Sequence, residues 1–174
     1  MEIKIMMTVP EQEFLKEVVT SLNPNSVIFE LGTAFGGSAA LMASANPSAK
    51  IFTIDLHENN GLNVVQETYY HIKTILEKYS NITSLCGNAM TDFTDWDTRI
   101  DLYLEDGAHE NPALQNNLNR WTQFLKPKGL LLMHDNNKHC PDVERNINRL
   151  VKSGTFEKIK QVESLTLLKK NKEF

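Results

Sequence analysis

Apolar residues fall along this chain in two alternating rhythms. Short, nearly continuous apolar runs at Ser26 to Leu31, Ile51 to Ile54, Ile82 to Leu85, Ile100 to Leu104 and Leu130 to Met133 have the length of buried strands. Between them, apolar positions recur every three to four residues, the spacing of one helix face. Such stripes run through Phe14, Leu15, Val18, Val19 and Leu22, and through Val65, Tyr69, Ile72, Leu76 and Tyr79. Two more follow at Leu114, Leu118, Trp121 and Leu125, and at Val143, Ile147, Leu150 and Val151. A further helix is expected over Ala39 to Ala45. Alternation of this kind predicts a single α/β domain over 1–174.

The punctuation agrees. Thr8 and Glu11 have the spacing of a capping box, with Pro10 in the first turn. Asn23-Pro24-Asn25 and Asn46-Pro47 stop helices; Asn111-Pro112 and Pro141 open them. Lys126-Pro127-Lys128-Gly129 reads as a turn before the fifth strand. The end differs: Phe156 to Val162 and Leu165 to Leu168 are separated only by Glu163-Ser164, too short for a parallel crossover, so they must form an antiparallel hairpin. Five parallel strands plus that hairpin make a seven-stranded sheet. Ligands of such sheets bind beyond the carboxyl ends of the strands, here Gly32, Asp55, Asp106 and Asp135.

Composition narrows the function. A net charge of −4 disfavours a nucleic-acid partner held by bulk electrostatics. The basic cluster of Lys158, Lys160, Lys169, Lys170 and Lys172 reads as a solvated hairpin edge and tail. No apolar run is long enough to span a membrane, and no signal peptide is evident. Two cysteines, Cys86 and Cys140, make no disulfide framework, so a cytoplasmic protein is expected.

The first candidate site is the segment from Glu30 to Ser38. Glycines at 32, 36 and 37 allow a tight turn and a close ligand, and the helix that follows offers free N–H groups. The spacing is neither that of the dinucleotide-binding glycines nor that of a phosphate-binding loop with its lysine. Asp55 ends the second strand about twenty residues later, where a carboxylate can accept hydrogen bonds from ribose hydroxyls. Together they imply an adenosine-like ligand.

Glu30-x-Gly32-x-x-x-Gly36-Gly37-Ser38, Ile54-Asp55, Gly87-Asn88-Ala89, Glu105-Asp106-Gly107-Ala108-His109 and His134-Asp135-Asn136, in that order, resemble the motifs of class I S-adenosylmethionine-dependent methyltransferases. The small O-methyltransferase and cephalosporin-hydroxylase-like group is the nearest in pattern. The resemblance implies a Rossmann-like, doubly wound sheet and an S-adenosylmethionine cofactor. Glu30 would orient the glycine turn or meet the ligand's ammonium group. Gly32 and Gly36 would face the methionine portion, with Gly37 and Ser38 opening the helix and Thr33 also among the cofactor-binding residues. Asp55 would hold the ribose, Asn88 and Ala89 the adenine edge, and Asp106 would border the cofactor. Leu56 and Met90 would pack on the adenine ring or simply fill the core.

By resemblance to catechol-type enzymes, Asp106, Asp135 and Asn136 would hold a divalent ion such as Mg²⁺, or else bind substrate without metal. With Asp106, His109 would be catalytic: as a general base it would stand where those enzymes carry a lysine, though it could instead cap the next helix. His134, His139 and Cys140 lack a fourth ligand at a zinc-like spacing. The expected activity is methyl transfer to a small-molecule hydroxyl. The alternatives are an S-adenosylmethionine-binding protein without that activity, or one with another acceptor class. The short connections leave the pocket open, or closed by a loop such as His57 to Asn63 or by a second subunit in a homodimer.

Overall fold

The computed structural model describes residues 3–56 and 66–171, with the side chains of 66–69 excepted. Its elements, in chain order, are α1 (Val9–Thr20), β1 (Val27–Leu31), α2 (Gly37–Ala45), β2 (Lys50–Asp55), α3 (Gln66–Leu76), β3 (Ile82–Cys86), β4 (Ile100–Glu105), α4 (Ala113–Trp121), β5 (Leu125–Met133), α5 (Pro141–Lys152), β6 (Phe156–Val162) and β7 (Leu165–Lys170). The strands form one sheet in the order β3-β2-β1-β4-β5-β7-β6. The first five are parallel, and β7 runs antiparallel to both of its neighbours. The sequence-based fold class therefore holds.

Period-two alternation builds two cores. On β1, Phe29 and Leu31 face one side and Ile28 the other; on β4, Tyr103 opposes Leu102 and Leu104. The first face is covered by Leu114, Leu118 and Trp121 of α4 and Val143, Ile147 and Leu150 of α5. Phe29 stacks on Trp121 with ring centroids 4.2 Å apart. The second face takes Phe14, Leu15, Val18 and Val19 of α1 and Met42 of α2. A sheet covered on both faces needs the continuous apolar runs seen in the sequence. The capping box forms as expected: Thr8 N donates to Glu11 Oε2 at 2.9 Å.

Strand order reverses at β1, whose neighbours are β2 and β4. The pairing continues one residue past the strands. Gly32 N donates to Ile54 O at 2.9 Å, Asp106 N to Leu31 O at 2.9 Å, and His134 N to Glu105 O at 3.1 Å. This register sets Gly32, Asp55, Asp106 and His134 in a row along one rim.

Several expectations need correction. The Lys126–Gly129 turn lies inside β5: Leu125 pairs with Ile100 and Leu130 with Leu102, so the intervening residues bulge, with Lys128 at φ 64°. Pro127 has no N–H to give a ladder, which suits a bulge. Leu125 thus belongs to a strand rather than to the helical stripe. Val151 is exposed. Pro112, not Asn111, is the N-cap of α4, and it makes no side-chain cap; Asn111 Oδ1 instead accepts from Asn146 Nδ2 at 3.0 Å. Lys170 is buried, its Nζ donating to Thr122 O at 3.0 Å and Leu125 O at 2.9 Å. Val65, the side chain of Tyr69, the loop from His57 to Asn63 and Lys172 lie outside the described residues. No helix among those described is long and apolar enough to cross a membrane.

Gly32 has φ +94°, and a Cβ there would run into the Asp106 carbonyl oxygen. Gly154, at φ +74°, has nothing within 4 Å of such an atom. Urea unfolding should therefore separate them. Gly154→Ala should cost about 1 kcal/mol, for the left-handed backbone alone, and Gly32→Ala upward of about 3 kcal/mol. Equal losses would mean that the β1 and β4 ends can part without penalty.

Candidate functional site

A cavity of about 680 Å³ opens over the carboxyl ends of β1, β2, β3 and β4. That volume suits a small-molecule or cofactor ligand. The turn after β1 contributes Gly32 and Ala34; the end of β2 contributes Asp55 and Leu56; the loop after β3 contributes Asn88, Ala89 and Met90. The far wall is Asp106 to His109 with the start of α4. Of the residues singled out for a cofactor, Gly32, Asp55, Leu56, Asn88, Ala89 and Asp106 border this space. Leu56 and Met90 are both exposed there, rather than packed in a core.

Glu30, Thr33 and Ser38 lie beneath the turn instead. Glu30 is fully buried. Ser38 Oγ and Thr53 Oγ1 each donate to its carboxylate at 2.5 Å, and Thr53 Oγ1 lies 2.6 Å from Thr33 Oγ1. This network ties β1, β2, the turn and the first turn of α2 together. Burial pushes the Glu30 carboxyl up to about 7, against its hydrogen bonds and with the help of the Asp106 and Asp55 charges. Gly36 and Gly37 do not line this cavity, and each has a close neighbour where a side chain would go. A Cβ at 36 would meet the Leu76 side chain, and one at 37 the backbone of Lys4 and Ile5. Asp55 is braced by the Ala34 N–H, which donates to its Oδ2 at 2.9 Å.

At the other end of the cavity the β4 and β5 ends bring four titratable groups together. His134 Nδ1 lies 2.9 Å from Asp106 Oδ1 and 3.5 Å from Asp135 Oδ2. His109 Nε2 lies 3.2 Å from Asp135 Oδ2 and 3.8 Å from Asp106 Oδ1. Burial alone would lower the His134 pKa, but Asp106, Asp135 and Glu11 outweigh it and raise it to about 9. His134 is therefore an imidazolium at neutral pH. Asp106 is likewise held below the usual carboxylate range, its two histidines overcoming burial. The facing Asp106 carboxylate, opposed by burial and joined by Asp135, raises His109. Asn136 follows Asp135, but its Nδ2 donates to Thr166 Oγ1 at 2.9 Å and Gln161 Oε1 at 3.2 Å, on the terminal hairpin.

Two residues named in the sequence for other reasons also take part. Glu11, read only as a helix cap, also lies 3.4 Å from His134 Nε2, and it accepts from Ser164 N at 2.9 Å and Ser164 Oγ at 2.6 Å. Burial would raise its pKa, but these donors and His134 bring it to about 2. Cys140 approaches His109 and Asp135. Glu11 is far from His134 and Ser164 in the chain, and His109 far from Asp135 and Cys140, so no local spacing could have announced those pairings. Beneath the site Glu105 accepts from the N–H groups of Ala108 and Gly107 at 3.1 and 3.3 Å, and burial pushes it up to about 7.

Glu30 sets a pH dependence of stability. Its folded pKa of about 7 lies above the ordinary 4.5, so the folded state holds the proton more tightly. That contribution is complete below pH 4.5 and is lost as pH rises to about 7. Glu11 has the opposite sign: its contribution is present above pH 4.5 and is lost as pH falls toward about 2. Glu30→Gln should therefore remove a decline on the order of 3 kcal/mol between pH 4.5 and 7, read from urea unfolding at each pH. Parallel wild-type and variant curves across that range would rule the assignment out.

A family model described as a methyltransferase domain matches residues 29–136, the segment from β1 through the groups that follow β5. No curated protein matches the chain. Solved structures do. One is a Staphylococcus aureus protein provisionally named a caffeoyl-CoA O-methyltransferase, at 17% identity, covering 97% of this chain and 86% of that one, with a TM-score of 0.76. The Podospora anserina methyltransferase PaMTH1, solved with S-adenosylhomocysteine bound, is 14% identical over 97% of this chain and 80% of its own, with a TM-score of 0.74. An rRNA methylase from Streptococcus thermophilus is 14% identical over 97% of this chain and 100% of its own, with a TM-score of 0.69. At such identities the likeness speaks for the fold. With the family match covering the glycine turn, Asp55 and the β4 and β5 ends, the chain belongs to the methyltransferase domain family, in its class I, S-adenosylmethionine-dependent form.

Proposed function

We propose that this protein transfers the methyl group of S-adenosylmethionine to a hydroxyl oxygen of a small molecule. One observation carries the reading. A single cavity has Asp55 at one end, braced to accept from ribose hydroxyls, and Asp106 with His109 at the other. Leu56 and Met90 offer apolar contact to an adenine ring, and Asn88 and Ala89 polar groups to its edge. Glu30, Thr33 and Ser38 act from below by fixing the turn.

A second open cavity, of about 590 Å³, lies across Asp135 and His134, walled by Met6, Thr8, Glu11 and the hairpin turn at Glu163 and Ser164. The acceptor would enter from there. Its oxygen attacks the sulfonium methyl, the C–S bond breaks, S-adenosylhomocysteine leaves, and the hydroxyl proton passes to His109. Nε2 of that ring faces the carboxylates, which leaves Nδ1 as the basic nitrogen. Positioning the two reactants in line supplies most of the rate. The O-methyltransferase name of the Staphylococcus aureus relative supports an oxygen acceptor. The net charge of −4 favours a small molecule over RNA.

The residues do not fit a hard magnesium ion well. The groups gathered round Asp106 and Asp135 are imidazoles and a thiol rather than further oxygens. The His134 imidazolium already neutralises part of their charge. The proposed transfer therefore uses no Mg²⁺.

Calorimetric titration should show binding of S-adenosylmethionine and S-adenosylhomocysteine and none of NAD. Asp55→Ala should weaken that binding by roughly 1.5–3 kcal/mol, because hydrogen bonds to a charged acceptor are lost. An unchanged affinity would place the ligand elsewhere. On an acceptor found by screening, His109→Ala should lower kcat by a factor of about 10²–10⁴ with cofactor affinity retained. Wild-type turnover in that variant would leave His109 a structural residue. Tight cofactor binding without transfer to any acceptor would favour a non-catalytic binding protein.

A further inference from the structure

Three side chains, one from the loop after β4 and two from the connection between β5 and α5, meet beside the Asp106 and His109 end of the cavity. His109 lies in the loop after β4, Asp135 follows β5, and Cys140 is the N-cap residue of α5. Their donor atoms, an imidazole nitrogen, a carboxylate oxygen and a thiol sulfur, all lie within 4.8 Å of one another. Nε2 of His109 is buried and has no aligned hydrogen bond, although it faces two carboxylates. Cys140 is a free thiol, and its side chain makes no cap of α5.

We propose that His109, Asp135 and Cys140 form a binding site for a zinc-type divalent ion, with the fourth position open to water. A nitrogen, oxygen and sulfur set suits Zn²⁺ or Co²⁺, whereas Mg²⁺ takes oxygens. Donors around a tetrahedral zinc stand about 3.3–3.6 Å apart, so small side-chain rotations close the present cluster. On binding, the Cys140 thiol releases its proton to solvent and the thiolate becomes the sulfur ligand. His134 Nδ1, 3.5 Å from Asp135 Oδ2, would orient the ligating carboxylate from behind.

The ion has a consequence for methyl transfer, and this part rests on the proposed function. A neutral imidazole that ligates through Nε2 carries its hydrogen on Nδ1. No lone pair then remains on His109 to accept the acceptor's proton. The bound ion is therefore an inhibitor, not a cofactor.

Co²⁺ serves as the spectroscopic stand-in, added to the full chain. A thiolate-to-cobalt charge-transfer band should grow to a plateau at one equivalent and be displaced by Zn²⁺ but not by millimolar Mg²⁺. Cys140→Ser should abolish the band, Cys86→Ser should keep it, and His109→Gln should weaken Co²⁺ at least tenfold. Circular dichroism confirms that each variant is folded, and His109→Gln carries the test if Cys140→Ser is not. A missing band, a band that survives Cys140→Ser, or one lost with Cys86→Ser would overturn the site. In the transfer assay Zn²⁺ should inhibit wild type and not Cys140→Ser, with EDTA restoring activity. Cobalt binding with undiminished turnover would overturn the inhibitory role. Cobalt binding in a protein that never transfers methyl groups would count against the proposed function and leave the site standing.

Discussion

The ends of β1 and β4 are pressed so close that only a hydrogen fits between the Gly32 Cα and the Asp106 carbonyl. This contact is where the strand order reverses, with β2 and β3 on one side and β4, β5 and the hairpin on the other. The reversal opens a crevice because the chain leaves the two central strands toward opposite faces of the sheet. The Gly32 N–H to Ile54 O and Asp106 N–H to Leu31 O bonds lock the register on both sides. Any slip there would carry Asp55 or Asp106 away from the rim they share.

Around that seam the polar groups divide by depth. Glu30 and Glu105, both buried on neighbouring strands, are pushed toward neutrality and serve as hydrogen-bond hubs under the turn and the Gly107–Ala108 loop. One residue further along, at the rim, Asp106 keeps its charge because two histidines face it. The same side-chain chemistry thus does different work one register step apart. The charge at the rim is balanced through His134, which Glu11 supports from α1.

How much of this was legible in the sequence follows from the range of each interaction. Strand faces and the hairpin at Glu163–Ser164 depend on neighbours in the chain, and periodicity records them; the glycine turn and Asp55 each end a strand, so the motif order records them. The bulge at Lys126–Gly129 resembles a turn, because Pro127 and Gly129 suit either; only pairing with β4 decides. Lys170 looks like a surface lysine, since nothing nearby announces the two carbonyls that take its ammonium group. That Leu76 of α3 fills the space where a Gly36 side chain would go is likewise a tertiary fact. The gathering of His109, Asp135 and Cys140 also belongs to tertiary structure, as does the turning of the Asn136 amide toward Thr166.

Glu11 caps its own helix within a few residues, yet its other partner, Ser164, lies 153 positions further along the chain. On a ribosome α1 is made before the strands of the sheet and can nucleate early, because its cap is local. β7 follows both β5 and β6 in the chain and must insert between these two strands, which already exist. Until it does, the first helix has no hairpin turn to hold and the His134 side lacks its outer wall. While β7 is still to be made, β1 to β4 can already pair and the β5 edge stays open, the period in which a chaperone has most reason to engage the nascent chain.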